Sequence, residues 1–221
     1  MAKPSEKEIA VALLERHVHA FAGELGIPIE KNTPSPLFML LYATLLFSTR
    51  ISAKIAVQAT GALADRGWAT PEKMAESTWE QRAKTLNEAG YASYDERTST
   101  MLGDMAQLLL DHYGGDLCKL REEADREPER ERKLLKEFKG IGDVGADIFF
   151  REAKVAWEEL FPFADRRALV GAKELGLEDD AEALLRLVGD RNFARLVAAL
   201  VRVMLEGDHQ DEVLEEAGRS G

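Results

Sequence analysis

The sequence predicts an all-α fold, and three observations support that prediction. No stretch of useful length alternates apolar and polar residues in the way a half-buried strand does. Apolar residues recur instead three and four positions apart along most of the chain, which is the spacing of one helix face. Finally, Ser, Thr or Asp repeatedly stands just before such a run, as is typical of helix N-termini.

The first two helices differ in character. Ser5 and Glu8 form a capping-box pattern, which predicts an amphipathic helix that continues until Gly26. Two prolines then open the strongly apolar segment 37–47, which we expect to be a central buried helix. The polar residues 48–52 interrupt it.

Several shorter helices follow. Ser52 is expected to cap a helix that ends at Gly67. Thr70 and Thr78 each stand before an acidic first turn, which predicts two short helices. Gly90 marks the next break in the chain.

The second half of the chain is predicted to be helical as well. A longer helix runs from about Tyr94 to Gly114. Residues 121–133 are dense in charges of both signs and are expected to form a solvated helix face or loop. The remaining predicted helices cover residues 146–160, 167–175, 180–188 and 192–205, with a fraying acidic helix from Asp208.

Composition and length limit the classes of protein that remain. The 221 residues can bury a core in one domain or in two small ones. No apolar stretch approaches the length of a membrane span, and the first residues lack the apolar core of a signal peptide, so we expect a cytoplasmic location. With Cys118 as the single cysteine and four dispersed histidines, no intrachain disulfide or metal site is expected.

The charge of the chain restricts how it could bind nucleic acid. A net charge of −11 argues against a broad nucleic-acid surface, because affinity for DNA comes largely from Lys and Arg that neutralise phosphates. The 29 Lys and Arg residues still allow a local basic face. Any DNA binding must therefore be confined to a small surface.

The most informative motif is Gly140-Ile141-Gly142, followed by Asp165 in the next segment of the chain. Two glycines that flank one aliphatic residue make a tight turn with exposed backbone N–H groups, and the helix that follows adds its positive end. This pattern predicts a phosphate site with a carboxylate further along the chain.

Gly140-Ile141-Gly142-x-x-x-Ala146 and the order of elements resemble the helix-hairpin-helix DNA glycosylases, the superfamily of endonuclease III. The resemblance covers about residues 35–175. Segments 45–50, 86–91 and 111–115 resemble the family's Leu-Leu-Ser-Ala-Gln-Ala, Ile-Gly-Leu-Tyr and His-x-Gly segments.

The resemblance implies a fold of two helical lobes with a cleft between them. Residues 35–150 would form a six-helix barrel-like domain that ends in the hairpin. Residues 1–34 and 151–221 would together form the second helical domain. Asp165 would face the cleft.

The resemblance also implies a reaction. The protein would hydrolyse the N-glycosidic bond of a damaged or mismatched base that has been flipped out of duplex DNA. Asp165 would stabilise the positive charge that builds up on the sugar, and would orient or deprotonate the attacking water. The expected partner is double-stranded DNA with a lesion or mismatch, bound by a monomer on the nucleoid if the source is a prokaryote.

DNA contacts follow from the same resemblance. The hairpin would hold a DNA phosphate, with Na⁺ or K⁺ as the only cofactor, at the backbone of Gly140 and Gly142. Thr49 and Arg50 lie where the family places its gap-filling residue. The full set of expected contacts is Thr49, Arg50, Lys139, Gly140, Ile141, Gly142, Gly145, Arg166 and Arg167.

Three departures from the family pattern modify these expectations. Val144 stands where bifunctional members carry a Schiff-base lysine, so lyase chemistry by that route is not expected. No cysteine follows Cys118, so the iron–sulfur cluster of endonuclease III is not expected either. Asp143 and Asp147 place negative charge near the hairpin, which opposes phosphate binding.

Two functions remain open from the sequence. One is a monofunctional DNA glycosylase that uses Asp165 and water. The other is a catalytically inactive relative that binds DNA or a protein partner. Simpler interpretations exist for the same residues: the hairpin as a plain turn, Asp165 as an N-cap, and Arg166 and Arg167 as surface charges.

Overall fold

The computed structural model describes residues 4–206 and 209–219, and no β-strand occurs among them. The predicted all-α class is confirmed. In chain order the helices are α1 (Glu6–Arg16), α2 (Phe21–Glu24), α3 (Pro34–Phe47), α4 (Ala53–Asp65), α5 (Pro71–Glu76), α6 (Trp79–Glu88), α7 (Asp95–Tyr113), α8 (Leu117–Glu123), α9 (Pro128–Leu135), α10 (Asp143–Ala153), α11 (Arg166–Leu175), α12 (Ala181–Val188), α13 (Asp190–Glu206) and α14 (His209–Arg219). Short 3₁₀ turns lie at Ile29–Lys31 and Glu158–Leu160.

The chain divides into two compact units. The terminal unit contains the residues up to Glu24 together with those from Leu160 onward, and the middle unit is Leu25–Glu159. The division expected from the sequence, after residues 34 and 150, places both boundaries inside the middle unit. These compact units do not test which segments fold as independent domains, so the domain bounds expected from the sequence stay a prediction.

Helix α3 is the centre of the middle unit. Ten of its fourteen residues are buried, and it packs against α4 and α10. Because no side of this helix is polar, it is stable only when other helices surround it. The prediction of a central buried helix is confirmed.

Three predicted helix starts in the middle unit are confirmed by their caps. The hydroxyl oxygens of Ser52, Thr70 and Thr78 each accept a hydrogen bond from the backbone N–H three residues later. Each bond satisfies one of the N–H groups that a helix leaves unpaired at its start. These caps fix where α4, α5 and α6 begin.

The first predicted helix is wrong in its length. The capping box of Ser5 and Glu8 is present, but α1 ends at Arg16 rather than near Gly26. The next residues, two histidines around a valine, are weaker helix formers than the residues before them. Val18 is 58% exposed, so it does not belong to the buried stripe.

The helix predicted over residues 146–160 is also wrong in its bounds. Helix α10 begins at Asp143 and ends at Ala153, and the chain then turns before Glu158–Leu160. The turn lets Trp157 bury its ring against Phe149, with centroids 5.3 Å apart. Its indole N–H donates to Oδ1 of Asn32 at 3.1 Å. Burial of a large aromatic side chain therefore outweighs continuation of the helix.

The prediction of a solvated helix face or loop over residues 121–133 holds for most of the segment, which is exposed, but it misses two buried charged residues. Arg121 and Glu131 are buried, and Arg121 forms a bidentate pair with Glu159, with both N–O distances 2.5 Å. The guanidinium also lies over the ring of Trp157, 5.5 Å from its centroid. Arg121 and Glu131 thus belong, with Glu159, to a buried ionic cluster of the middle unit.

The terminal unit is built around α13, which packs against α1, α11 and α12. At Gly171 the backbones of α11 and α13 come so close that a Cβ atom would lie 2.7 Å from the carbonyl oxygen of Leu200. Helix α14 is present, although Asp208, where it was predicted to begin, lies outside the described residues. Over residues 4–206 and 209–219, no helix has both the length and the apolar content that a membrane crossing needs.

Candidate functional site

The hairpin of the middle unit connects α9 to α10. Gly140 has a φ of +95°, which L side chains rarely adopt. A Cβ atom at this position would lie 2.5 Å from Cδ1 of Leu45 and 2.8 Å from Sδ of Met101. Both the backbone conformation and the packing therefore require glycine at residue 140.

Ile141 anchors the hairpin through its buried side chain and its backbone N–H. Its side chain is buried, and its backbone N–H donates to the carbonyl of Phe138 at 2.9 Å. Since that N–H is used within the turn, Ile141 does not offer it to a ligand. The side chain anchors the turn that presents the neighbouring groups.

Gly142 differs from the other hairpin glycines. It is the N-cap of α10 with φ −105° and ψ −162°, and a Cβ atom there would meet nothing within 4 Å. Gly145 instead packs closely, with a Cβ position 3.1 Å from Oγ of Ser48. Neither packing nor conformation requires glycine at residue 142, so its small size matters only for something that approaches from outside.

The hairpin exposes backbone donors. Among the described residues, none accepts a hydrogen bond from the N–H of Gly140 or Gly142, or from the N–H groups of the first three residues of α10. Such N–H groups at a helix start point along the helix axis and carry partial positive charge. The arrangement can bind an anion such as a phosphate.

Ion pairs surround these donors. Nζ of Lys136 lies 2.5 Å from Oδ1 of Asp143, and its hydrogen bond lowers the pKa of that carboxyl. Nζ of Lys139 lies 3.4 Å from Oδ2 of Asp104. The charge of Asp143, which was expected to oppose phosphate binding, is therefore balanced by a neighbouring cation, and Lys139 is balanced by an acid.

Arg132 ties the two helices of the hairpin together. Its Nη2 lies 2.8 Å from Oδ1 of Asp147, and its guanidinium lies over the ring of Phe150 at 5.0 Å. Sequence reasoning missed Arg132 and Lys136. The sequence does indicate these pairs, because cations stand in and directly after α9, before the turn, and acids stand at the start of α10, after the turn.

The segment after α3 contains the two predicted gap-filling residues. The hydroxyl of Thr49 is hydrogen-bonded to the hydroxyl of Tyr91, which also donates to the carbonyl of Leu46 at 3.3 Å. Thr49 is half-buried, whereas Arg50 is exposed. Of the two, only Arg50 projects into solvent. Tyr91, which follows the predicted break at Gly90, holds this segment in place.

Val144 lies in the first turn of α10 and is 46% exposed. The side chain at this position faces solvent beside the exposed backbone donors. Valine offers no amine there, so the residue cannot form a Schiff base.

Asp165 lies in the terminal unit as the N-cap of α11. Its Oδ1 accepts hydrogen bonds from the backbone N–H of Arg167 at 2.9 Å and of Ala168 at 3.3 Å. The residue is 4% exposed. The predicted N-cap role is confirmed, and these bonds hold the carboxylate in one orientation. Arg166 and Arg167 follow it and are exposed.

The structure brings some of the predicted residues together. Gly140 and Thr49 line one cavity of about 160 Å³ in the middle unit. Ser48 contacts the same region, since its Oγ lies beside Gly145. Asp165, Arg166 and Arg167 belong to the terminal unit.

Comparison with known proteins shows similarity at the level of structure. No family model matches the chain, and no curated protein matches it. The crystal structure of H. pylori 3-methyladenine DNA glycosylase (MagIII) bound to 1,N6-ethenoadenine is similar with a TM-score of 0.54 and 18% identity, over 91% of this chain and 93% of that chain. A trapped endonuclease III–DNA covalent intermediate matches with a TM-score of 0.48 and 17% identity, over 74% of this chain and 71% of that chain.

The similarity to the glycosylase from H. pylori extends over nearly the whole of both chains. The chain therefore has the fold of the helix-hairpin-helix DNA glycosylases.

Proposed function

We propose that the protein is a monofunctional DNA glycosylase of base-excision repair. The observation that carries this proposal is Asp165, a buried carboxylate held by two backbone N–H groups in a chain with a glycosylase fold. A carboxylate kept in one orientation can act on a reacting sugar without first reorganising. The substrate would be a damaged or mismatched base in duplex DNA.

The reaction would use this carboxylate and one water. As the bond between the anomeric carbon and the base nitrogen breaks, positive charge builds up on the sugar, and the charge of Asp165 stabilises it. The base leaves with the bonding electrons, the water oxygen attacks the anomeric carbon, and the proton of the water passes to Asp165. That proton then passes through solvent to the released base, which restores the carboxylate. The products are a free base and an abasic site.

The hairpin would hold the DNA. Its exposed N–H groups suit a phosphate oxygen, and Gly142 leaves open space for the approach. The carbonyl oxygens of Gly140 and Ile141 accept no hydrogen bond from a described residue, so the turn offers the oxygen ligands that Na⁺ or K⁺ would take. Arg50 is the exposed candidate for filling the gap left by the flipped base.

Val144 supports the monofunctional mechanism. Strand cleavage through a Schiff base needs an amine at the site, and the exposed side chain at residue 144 has none. The abasic product would therefore leave the enzyme with its strand intact.

A second candidate function is that of a catalytically inactive relative that binds DNA or a protein partner. The ion pairs of Lys136 and Lys139, and the net charge of −11, favour the loss of catalysis because they reduce the positive charge that could hold a DNA substrate. Such a protein would bind duplex DNA weakly and release no base.

A panel of duplexes separates the two functions. Each duplex carries one alkylated, oxidised, deaminated, mismatched or abasic site, and hot alkali reveals base loss. The proposal expects base release from at least one lesion and none from Asp165→Asn. Duplex binding that falls with salt, without release from any lesion, would favour the inactive relative, and strand cleavage without alkali would contradict the role given to Val144.

A further inference from the structure

A cavity beside the hairpin is lined by apolar and aromatic side chains and by one arginine. It holds about 160 Å³ between the segment after α3 and the start of α7. Gly140 and Thr49 line one side, and Tyr94 and Arg97 line the other. This volume equals that of about five molecules in liquid water, which is enough for one small planar group.

The cavity and the hairpin share their support. Leu45 and Met101 line the cavity, and the same two side chains lie directly under Gly140. A ligand held by the hairpin N–H groups therefore lies next to this cavity. The shared side chains are apolar, so they favour the flat face of a ring over a solvated ion.

Arg97 gives the cavity a net positive charge. It is the only charged residue among those that line the cavity, and none of them is acidic. Arg97 is exposed and makes no ion pair with any residue that the structure describes. By contrast, Lys136 and Lys139 of the hairpin are each paired with an acid. Arg97 is thus available to an incoming anion.

Tyr94 supplies an aromatic surface at the same rim. It is half-buried, and its ring contacts that of Tyr91 edge-on, with centroids 6.3 Å apart. The contact restrains the ring without covering it completely. Aromatic rings next to a basic side chain are the combination that proteins use to hold unstacked nucleobases.

We propose that this cavity receives one unstacked nucleobase of the DNA bound at the hairpin. Tyr94 packs against the base, Leu45 and Met101 support its other edge, and Arg97 binds an adjacent phosphate. The inference rests on the proposed function, because it requires that the hairpin binds DNA. It adds two residues, Tyr94 and Arg97, to the DNA-binding surface.

The test measures binding of a duplex that carries one unpaired 2-aminopurine, whose fluorescence reports its stacking. We expect Tyr94→Leu to weaken binding about tenfold without changing the salt dependence, and Tyr94→Phe to bind as the unmodified protein does. Arg97→Gln should also weaken binding about tenfold, and should reduce the slope of log affinity against log salt by about one.

Arg126→Gln is the matched control, because Arg126 is an exposed arginine outside the cavity. It should leave binding unchanged, and far-ultraviolet circular dichroism should match for all variants. If Tyr94→Leu and Arg97→Gln bind the probe as tightly as Arg126→Gln does, the inference is wrong.

Base release from the lesion panel separates this inference from the proposed function. If the unmodified protein releases a base while the cavity variants bind normally, only the inference fails. If no base is released but the cavity variants lose affinity, the inference holds and the glycosylase proposal fails. Absence of any DNA binding by the unmodified protein would overturn both.

Discussion

At the residue scale, Gly140 and Gly142 have different reasons to be glycine. Gly140 is fixed by a φ of +95° and by contact with Leu45 and Met101. Gly142 has an extended backbone with open space around its Cα. Folding requires glycine at residue 140 but not at residue 142, whereas the proposed function uses the open space at Gly142, so substitution separates the two.

Alanine at each position tests this difference. Gly140→Ala should lower the free energy of unfolding by at least about 2 kcal/mol, because the backbone is strained and the methyl group overlaps its neighbours. Gly142→Ala should change it by about 1 kcal/mol or less, yet weaken duplex binding severalfold. Thermal melts and fluorescence anisotropy with labelled duplex measure both. Normal DNA binding by Gly142→Ala would contradict the assigned role.

The sequence predicted these hairpin residues because the signals are local. A capping box such as Ser5 and Glu8, or a Gly-Ile-Gly turn, is decided by a few consecutive residues. The contact of Tyr91 with Thr49 and the burial of Glu131 are decided by helices distant in sequence. A single sequence without structure gives no local sign of such contacts.

At the scale of elements, ion pairs between α9 and α10 set the charge of the hairpin. Lys136 pairs with Asp143, and Arg132 pairs with Asp147. The exposed pair of Lys136 with Asp143 contributes little to stability, but both pairs decide how much positive charge reaches a phosphate. The acids thus reduce the positive charge of the hairpin while leaving the fold intact.

Asp143→Asn should increase affinity for duplex DNA severalfold and steepen its salt dependence, because Lys136 then becomes available to a phosphate. The unfolding temperature should change little. Asp125→Asn is the control, since Asp125 is an equally exposed acid paired with Arg130 at the start of α9. Equal affinities for the two variants would show that the pair with Lys136 does not restrain binding.

The buried cluster of α8 and α9 predicts a dependence of stability on pH. Burial raises the pKa of Glu131 to about 8, and the neighbouring Glu159 adds to this shift. Burial also acts to raise the pKa of Glu159, but the two hydrogen bonds from Arg121 outweigh it and lower that pKa. The folded protein therefore holds on Glu131 a proton that the unfolded chain releases above its ordinary pKa of 4.5.

Stability should accordingly decrease as pH rises from about 4.5 to about 8. Glu131→Gln keeps a neutral side chain at every pH, so it should be more stable than the unmodified protein near pH 8, by about 1–3 kcal/mol, and similar near pH 5. Denaturant melts at the two pH values measure this. Glu129→Gln, an exposed glutamate in the same helix, should show no such difference.

At the scale of the whole molecule, the net charge and the fold lead to opposite expectations about DNA binding. The chain carries a net charge of −11, yet it has the fold of a class of DNA-binding enzymes. Local geometry reconciles the two, because the donors of the hairpin are backbone groups and Arg97 makes no ion pair with any described residue. Binding should therefore depend on salt less steeply than for a protein with a broad basic surface.

Helix class and most helix starts could be predicted from the sequence, while helix ends were less predictable. Helix α1 stops at Arg16 and α10 stops at Ala153, in both cases before the apolar pattern ends. Burial of Trp157 decides the second of these ends. The Asp165 cap was predictable because Asp is a preferred N-cap, but capping alone does not establish catalysis.

The central claim is that Asp165 acts on the sugar, and one kinetic comparison tests it most directly. Asparagine is as good an N-cap as aspartate, so Asp165→Asn keeps α11 capped and removes only the charge. Asp180→Asn is the matched control, because Asp180 caps α12 in the same unit through an equivalent bond of 2.9 Å.

Single-turnover base release should be measured on a duplex that the unmodified protein cleaves, with DNA affinity measured in parallel. We expect Asp165→Asn to lose about 10²- to 10⁴-fold in rate while it retains DNA affinity, and Asp180→Asn to lose almost nothing. If Asp165→Asn releases the base at the unmodified rate, the carboxylate is only a helix cap and the proposed mechanism is wrong.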